Sequence, residues 1–287
     1  MPKTGSQSLG EPRSALITGA SSGIGTAFAN LLAAQGHNLV LTARRADRLE
    51  QLATELRARH GVTVQVLAAD LADPKTPEWL VTQIAETGAA VDILINNAGY
   101  CGNHTFVGAP WETSAGELQL MVTAPTELAH RVAAGMAQRG YGRIVNLSSQ
   151  SAFFPPGASW LYTAIKTYVL QMSQTLDMEL KPQGIHVTAL CPGNTRTEFH
   201  TVMGAGAVAE KLPPFMWQDA DTVAAAGWAA VEKGTPVCIP GTANKVFAYA
   251  MRSLPANVAY KVGRDSNPFK DVIGAPADTN GSAAATK

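Results

Sequence analysis

The chain has no excess of charge: 22 Lys and Arg are balanced by 22 Asp and Glu, and charged residues make up 15% of it. A balanced surface lacks the positive field that holds a nucleic-acid backbone, so a DNA- or RNA-binding role is discounted. Cysteine is scarce. Cys101, Cys191 and Cys238 are odd in number and far apart, which argues against a disulfide framework and a structural zinc site. They read as free thiols in a reducing compartment. The histidines, at positions 37, 60, 104, 130, 186 and 200, lack HxxxH or HExxH spacing, so no metal is expected. Also lacking is any unbroken apolar run of about 18 residues, and Met1–Arg13 has no apolar segment of the kind a secretory leader carries. No membrane span is expected, and the expected compartment is the cytoplasm.

What is present is ample apolar material, 46% of 287 residues, enough for one large α/β core. Residues 1–13 read as a flexible N-terminal tail, 14–264 as one domain, and 265–287 as a C-terminal tail. Apolar runs at Ser14–Thr18, Leu39–Thr42, Val62–Leu67, Val91–Ile95, Arg143–Leu147 and His186–Leu190 read as strands, with a short one at Val237–Ile239. Helical patterns lie between them, at Thr26–Gln35, Arg45–His60, Pro77–Glu86, Ser114–Arg139 and Tyr162–Leu180, with another at Asp221–Lys233. This alternation predicts a doubly wound parallel sheet of Rossmann type in a single α/β domain.

Thr18-Gly19-Ala20-Ser21-Ser22-Gly23-Ile24-Gly25 sets three glycines between the first strand and the first helix. A pyrophosphate needs such a turn: positive φ angles, no Cβ in the way, and free N–H groups at a helix N-terminus. The spacing is Gly-x-x-x-Gly-x-Gly. It resembles the TGxxxGxG motif of the short-chain dehydrogenase/reductase family, and the likeness runs from about Ser14 to Phe199 because further motifs follow in order. Asp70-Leu71 resembles the family's adenine contact. Asn96-Asn97-Ala98-Gly99 matches its NNAG motif, with Asn97, Ala98 and Gly99 along the cofactor. Pro192-Gly193 with Thr197 matches its PGxxxT turn at the nicotinamide. The resemblance thus implies a nucleotide-binding oxidoreductase whose cofactor contacts include Gly19, Ser21, Ser22, Gly23, Ile24 and Gly25.

NAD-specific folds place an acid at the end of the second strand, where it takes the ribose hydroxyls. Here that position is Ala43, followed by Arg44 and Arg45, whose guanidinium forks suit a 2′-phosphate. NADP(H) is therefore the expected cofactor.

Tyr162 and Lys166 are four apart in a helical pattern, so they share one face. Ser149 stands thirteen residues before Tyr162, the spacing the family uses for its catalytic serine. A free tyrosine titrates near 10 and is a poor acid–base at neutral pH, so a neighbouring ammonium must stabilise its phenolate. Lys166 suits that role and, by resemblance, holds the nicotinamide ribose, while Ser149 would orient the substrate oxygen. In many members an asparagine between the fourth and fifth strands completes a proton relay through a bound water. The matching residue here is Met121, which cannot hydrogen-bond in that way.

The expected activity is hydride transfer between NADP(H) and a small-molecule alcohol or carbonyl. Met121 keeps open an NADP-binding regulatory or scaffold protein with little turnover; an epimerase or dehydratase of the same family is a further alternative. Ser148 beside Ser149 lacks a GxSxG elbow, so hydrolysis is not expected. Phe153, Phe154 and Trp160 are either core or the lining of an apolar pocket. Residues 194–220 read as a substrate loop, with Phe199–Trp217 as a lid, and Ala243–Leu254 as a helix beside the substrate mouth or a subunit. By resemblance the protein assembles as a homodimer or homotetramer.

Overall fold

Short aliphatic runs bounded by glycine turns form the strands, and the longer amphipathic stretches between them form the helices. The computed structural model describes residues 12–155, 160–199 and 217–265. In chain order it contains β1 (Ser14–Thr18), α1 (Gly23–Ala34), β2 (Asn38–Thr42), α2 (Ala46–His60), β3 (Val64–Val66), α3 (Thr76–Glu86) and β4 (Ile93–Asn96). Then come α4 (Trp111–Leu118), α5 (Ala124–Arg139), β5 (Gly142–Leu147), α6 (Tyr162–Leu180), β6 (Ile185–Leu190) and β7 (Asn194–Arg196). The described chain ends with β8 (Trp217–Asp219), α7 (Ala220–Glu232), β9 (Val237–Cys238), α8 (Thr242–Arg252) and α9 (Ala256–Asp265).

Seven strands form one sheet in the order β3-β2-β1-β4-β5-β6-β9, every pair parallel. Alternate residues of each strand face opposite layers. Ala15, Ile17, Leu39 and Leu41 pack with Phe28, Leu49 and Trp228 of α1, α2 and α7. Leu16, Val40, Leu94 and Ile144 pack with Leu80, Leu128 and Met136 of α3 and α5 on the other face. Burial on both faces explains why the strands read as continuous apolar runs. The strand order reverses between β1 and β4, and in such sheets a crevice for a ligand opens at the carboxyl ends of the strands there.

The stretch Ser114–Arg139, expected as one helix, is α4 and α5 joined by a single π-helical turn at Gln119–Thr123. Pro125 lacks the N–H that would bond to the carbonyl of Met121, so the register slips by one residue there. The third strand is shorter than expected. Two elements had no sequence signal strong enough to place them: α9, and a small parallel sheet of β7 with β8. Most of the expected substrate loop and lid, 200–216, lies outside the described residues, as do 1–11 and 266–287 of the two tails. No helix among the described residues is long and apolar enough to cross a membrane.

Candidate functional site

The glycine turn is closed by Thr18 at the end of β1 and Asn97 just after β4. Thr18 Oγ1 donates to the Ile95 carbonyl at 3.3 Å and accepts from the backbone N–H of Asn97 and Ala98 at 2.9 and 3.0 Å. Asn97 Nδ2 donates in turn to the carbonyls of Thr18 and Gly19 at 3.0 and 3.1 Å. Gly19 has φ +66°, and a Cβ there would come within 2.7 Å of Asn97 Nδ2. Only glycine fits. At the start of α1, Ser22 makes no side-chain cap and the first turn carries no acid, so its N–H groups stand open to an anion. The turn thus suits the phosphates of a dinucleotide.

Arg44 and Arg45 follow β2 as expected, but they point to different neighbours. Arg45 donates twice to Ser21 Oγ, at 3.3 and 3.2 Å, and pairs with Glu198 at 2.9 Å. Arg48 meets the other oxygen of the same carboxylate at 2.7 Å. These two guanidinium groups hold the Glu198 carboxyl below its usual range. Arg44 lies close enough to Tyr100 for its charge to be felt there. The sequence reading missed Arg48 and Glu198, because nothing in their spacing says that the segment after β7 and the start of α2 approach across the crevice. Asp70 is exposed and its Oδ1 accepts from the Ala72 N–H at 3.0 Å; Leu71 is buried beside it. Ile24, Gly25, Ala98, Gly99, Pro192 and Gly193 all fall on the same carboxyl edge of the sheet. Thr197 lies against the glycine turn: a Cβ on Gly23 would meet its Cγ2 at 2.8 Å. Gly193 is wedged between Gln150 and Asn244, and Gln150 Nε2 donates to the Asn244 carbonyl at 2.9 Å.

Ser149, Tyr162 and Lys166 come together where β5 meets α6. Ser148 Oγ donates to the Lys166 carbonyl at 2.7 Å, and Lys166 Nζ donates to the Leu147 carbonyl at 2.8 Å, so the helix is pinned to the strand end. Ser149 caps the 3-10 turn Gln150–Phe153, its Oγ accepting from the Ser151 N–H at 3.1 Å. Tyr162 has a partly exposed ring and an enclosed hydroxyl. Burial drives its pKa upward, the neighbouring Cys101 adds to this, and a hydrogen bond with Ser149 opposes it. Burial lowers Lys166 to about 8, with Cys101 and Cys191 opposing. The Lys166 ammonium sits 5.4 Å from the centre of the Tyr162 ring. A phenol, an ammonium and a hydroxyl are therefore brought together here, a set chemically able to pass a proton and to orient an oxygen.

Behind Lys166 runs a ladder that sequence reasoning did not find: Asn96 Nδ2 donates to Asn146 Oδ1 at 2.9 Å, and Asn146 Nδ2 to Ser173 Oγ at 3.0 Å. An asparagine inside the apolar run of β5 was the available signal. Met121 is 2% exposed and faces Gly99 from the π-turn.

Of the aromatic residues left open between core and pocket lining, only the core role is visible, and it belongs to Phe153, packed with Leu170, Ala189 and Ile239. Trp160 stands edge-on to His104 and Phe106, with centroids 6.4 and 5.0 Å apart. Phe154 meets Phe247 of α8 at 5.2 Å, so α8 docks against the turn after Ser149. Phe199 lies 5.8 Å from Tyr162. None of the three cysteines forms a disulfide, and the described residues contain no group of ligands that could hold a metal.

A family model described as short chain dehydrogenase matches residues 13–206. The chain belongs to that family. It is 34% identical over 179 residues to a very-long-chain 3-oxoacyl-CoA reductase from Phaeosphaeria nodorum, a match covering 60% of this chain and 52% of that protein. The chain thus spans about half the length of that relative. It is 37% identical over 196 residues to a sulfoacetaldehyde reductase from Chromohalobacter salexigens, covering 66% and 75% of the two chains. Among solved structures, a short-chain dehydrogenase from Sphingobium yanoikuyae in complex with NADPH shares 36% identity and superposes with a TM-score of 0.74, covering 85% of this chain and 96% of that one. That solved structure holds NADPH, and the open glycine turn of this chain fits a nicotinamide dinucleotide.

Proposed function

We propose that the chain is an NADP(H)-dependent oxidoreductase that interconverts a carbonyl and an alcohol, with Ser149, Tyr162 and Lys166 as its catalytic residues. The observation that carries this reading is the joint placement of the Tyr162 hydroxyl, the Lys166 ammonium and Ser149 on the edge of the crevice that the glycine turn opens onto. NADP(H), when bound, supplies or takes the hydride.

Gly19 to Gly25 would hold the phosphates, Asp70 and Leu71 the adenine, and Asn97, Ala98 and Gly99 the middle of the cofactor. Pro192, Gly193 and Thr197 would hold its nicotinamide end. Arg44 and Arg45 would hold the 2′-phosphate, and the NADPH-bound relative supports that preference. With its pKa raised, Tyr162 keeps its proton until an alkoxide develops beside it, which suits the reducing direction. Lys166, lowered only to about 8, remains largely cationic at neutral pH and stabilises the phenolate that results. Phe154, Trp160 and Phe199 favour an apolar substrate. The relatives named above differ widely in the substrates their names state, so the size of the substrate rests on these side chains alone. Exposed Tyr168 and Met178 on α6 support assembly through that helix into a homodimer or homotetramer, and a cytoplasmic site suits three cysteines that form no disulfide.

The test is a panel of ketones and aldehydes with NADPH, and of alcohols with NADP⁺. Stoichiometric cofactor consumption is expected. Tight NADPH binding without product would replace this reading with a scaffold role, and product formed without net cofactor change would replace it with an epimerase or dehydratase.

A further inference from the structure

Lys166 backs onto a small cavity lined by Thr18, Asn96, Asn146, Leu147, Lys166 and Met121, among others, with room for about one water molecule. Nearly every hydrogen-bonding group at its wall is engaged. Thr18 Oγ1 donates once and accepts twice. Asn146 uses both ends of its amide, and the Leu147 carbonyl accepts from Lys166. Asn96 Nδ2 donates both to Asn146 and to the Pro125 carbonyl at 3.1 Å. Two capacities remain. Asn96 Oδ1 is fully enclosed and accepts no hydrogen bond, in a residue only 6% exposed. Lys166 Nζ carries three protons, of which Leu147 takes one. A buried amide oxygen left unmatched costs about 1–3 kcal/mol, and a water between an acceptor and a donor removes that cost.

We propose that this cavity is a water site held between Asn96 Oδ1 and Lys166 Nζ, so that Asn96 positions Lys166 from the sheet side. In resembling enzymes the asparagine found here as Met121 completes a proton relay through a bound water. Here the water accepts from the ammonium and donates to the amide oxygen, which fixes the direction of Nζ and solvates its charge. Met121 lines the same cavity without a strong hydrogen-bonding group and so leaves the water to the Asn96 side. Asn96 is a positioning residue in this scheme, acting through Lys166, and the inference rests on the reading of Tyr162 and Lys166 given above.

Crystals of the wild-type protein that diffract well enough to show ordered solvent should reveal a water within hydrogen-bonding distance of both Asn96 Oδ1 and Lys166 Nζ. A dry cavity, or an Asn96 amide turned to another partner, would overturn the proposal whatever the enzyme's activity. In solution, Asn96→Ala should lower kcat about tenfold, leave KM for NADPH within about twofold, and move the alkaline limb of the kcat profile to lower pH. Met121→Asn added to Asn96→Ala returns an amide to the cavity and should recover most of the loss. A merely structural role for Asn96 predicts no such recovery and no shift of the limb, and that result would also overturn it. If Asn96→Ala does not fold, the wild-type density decides. Loss of the Tyr162 reading would show separately, as full turnover in Tyr162→Phe with the water still in place.

Discussion

The two halves of the crevice are built by different means. From β1 to β4 the candidate cofactor site is made of backbone: positive-φ glycines, an uncapped helix start, and the short side chains of Thr18 and Asn97 bonding to main-chain groups. From β5 onward the site is made of long side chains whose chemistry depends on what encloses them, as with Lys166 and Tyr162. Backbone sites are encoded by spacing and tolerate little change. Side-chain sites are encoded by burial, which draws on elements far apart in the chain.

The sharpest way to break this comparison is at the hydroxyl of Tyr162. Tyr162→Phe keeps the ring packed near Phe199 and should reduce turnover by about 10²-fold or more, while NADPH binding measured by fluorescence titration stays within about twofold. Near wild-type turnover on an NADPH-dependent substrate would mean that the second half of the crevice is not where the proton moves.

Next in size are the charges after β2, a side-chain contact within the backbone half. Arg44→Asp should remove or reverse a preference for NADPH over NADH worth about 1.5–3 kcal/mol, tenfold to more than a hundredfold in Kd. Equal dissociation constants for the two cofactors in the wild type would remove the basis for assigning a phosphate to Arg44 and Arg45.

A pH series tests the burial of Lys166 directly. Its folded pKa, about 8, lies below the ordinary 10.5. Below about 8 the lysine is protonated in both states and the folded protein bears the full cost of a buried charge. Between about 8 and 10.5 the unfolded chain binds more protons, so the cost is relieved as pH rises. Wild type should therefore gain stability relative to Lys166→Met across that window in denaturant titrations. A difference independent of pH would show that the ammonium is solvated and not enclosed.

The smallest effect is expected at Glu198. Its pairs with Arg45 and Arg48 are short, yet the side chains are 40–47% exposed. Glu198→Gln should change unfolding free energy by less than about 1 kcal/mol. A loss well beyond that would show that the strap from the end of β7 to α2 supports the fold of the backbone half as well.

Much of this was legible beforehand. The strands of the main sheet announce themselves as apolar runs, and the three glycines, the NNAG segment and the Tyr162–Lys166 pair stand at spacings that survive as geometry. The π-turn was not legible, although Pro125 was its cause, because a proline near a helix start is usually harmless. Nor was the Asn96–Asn146–Ser173 ladder, since three polar residues on three elements share no local pattern. Glu198 belongs with them: its partners lie some 150 positions earlier in the chain.

By itself, then, the order of residues determined the strand–helix alternation, the glycine turn and the identity of the groups able to carry a proton, because each depends on local spacing and backbone preference. Tertiary structure alone decided that Lys166 would be enclosed, that Phe153 would be core while Trp160 stands against His104 and Phe106, that Arg45 would meet Glu198, and that Asn96 would face a cavity with one acceptor unmatched. Those outcomes depend on which distant surfaces exclude water from one another, and the strand order β3-β2-β1-β4-β5-β6-β9 sets that.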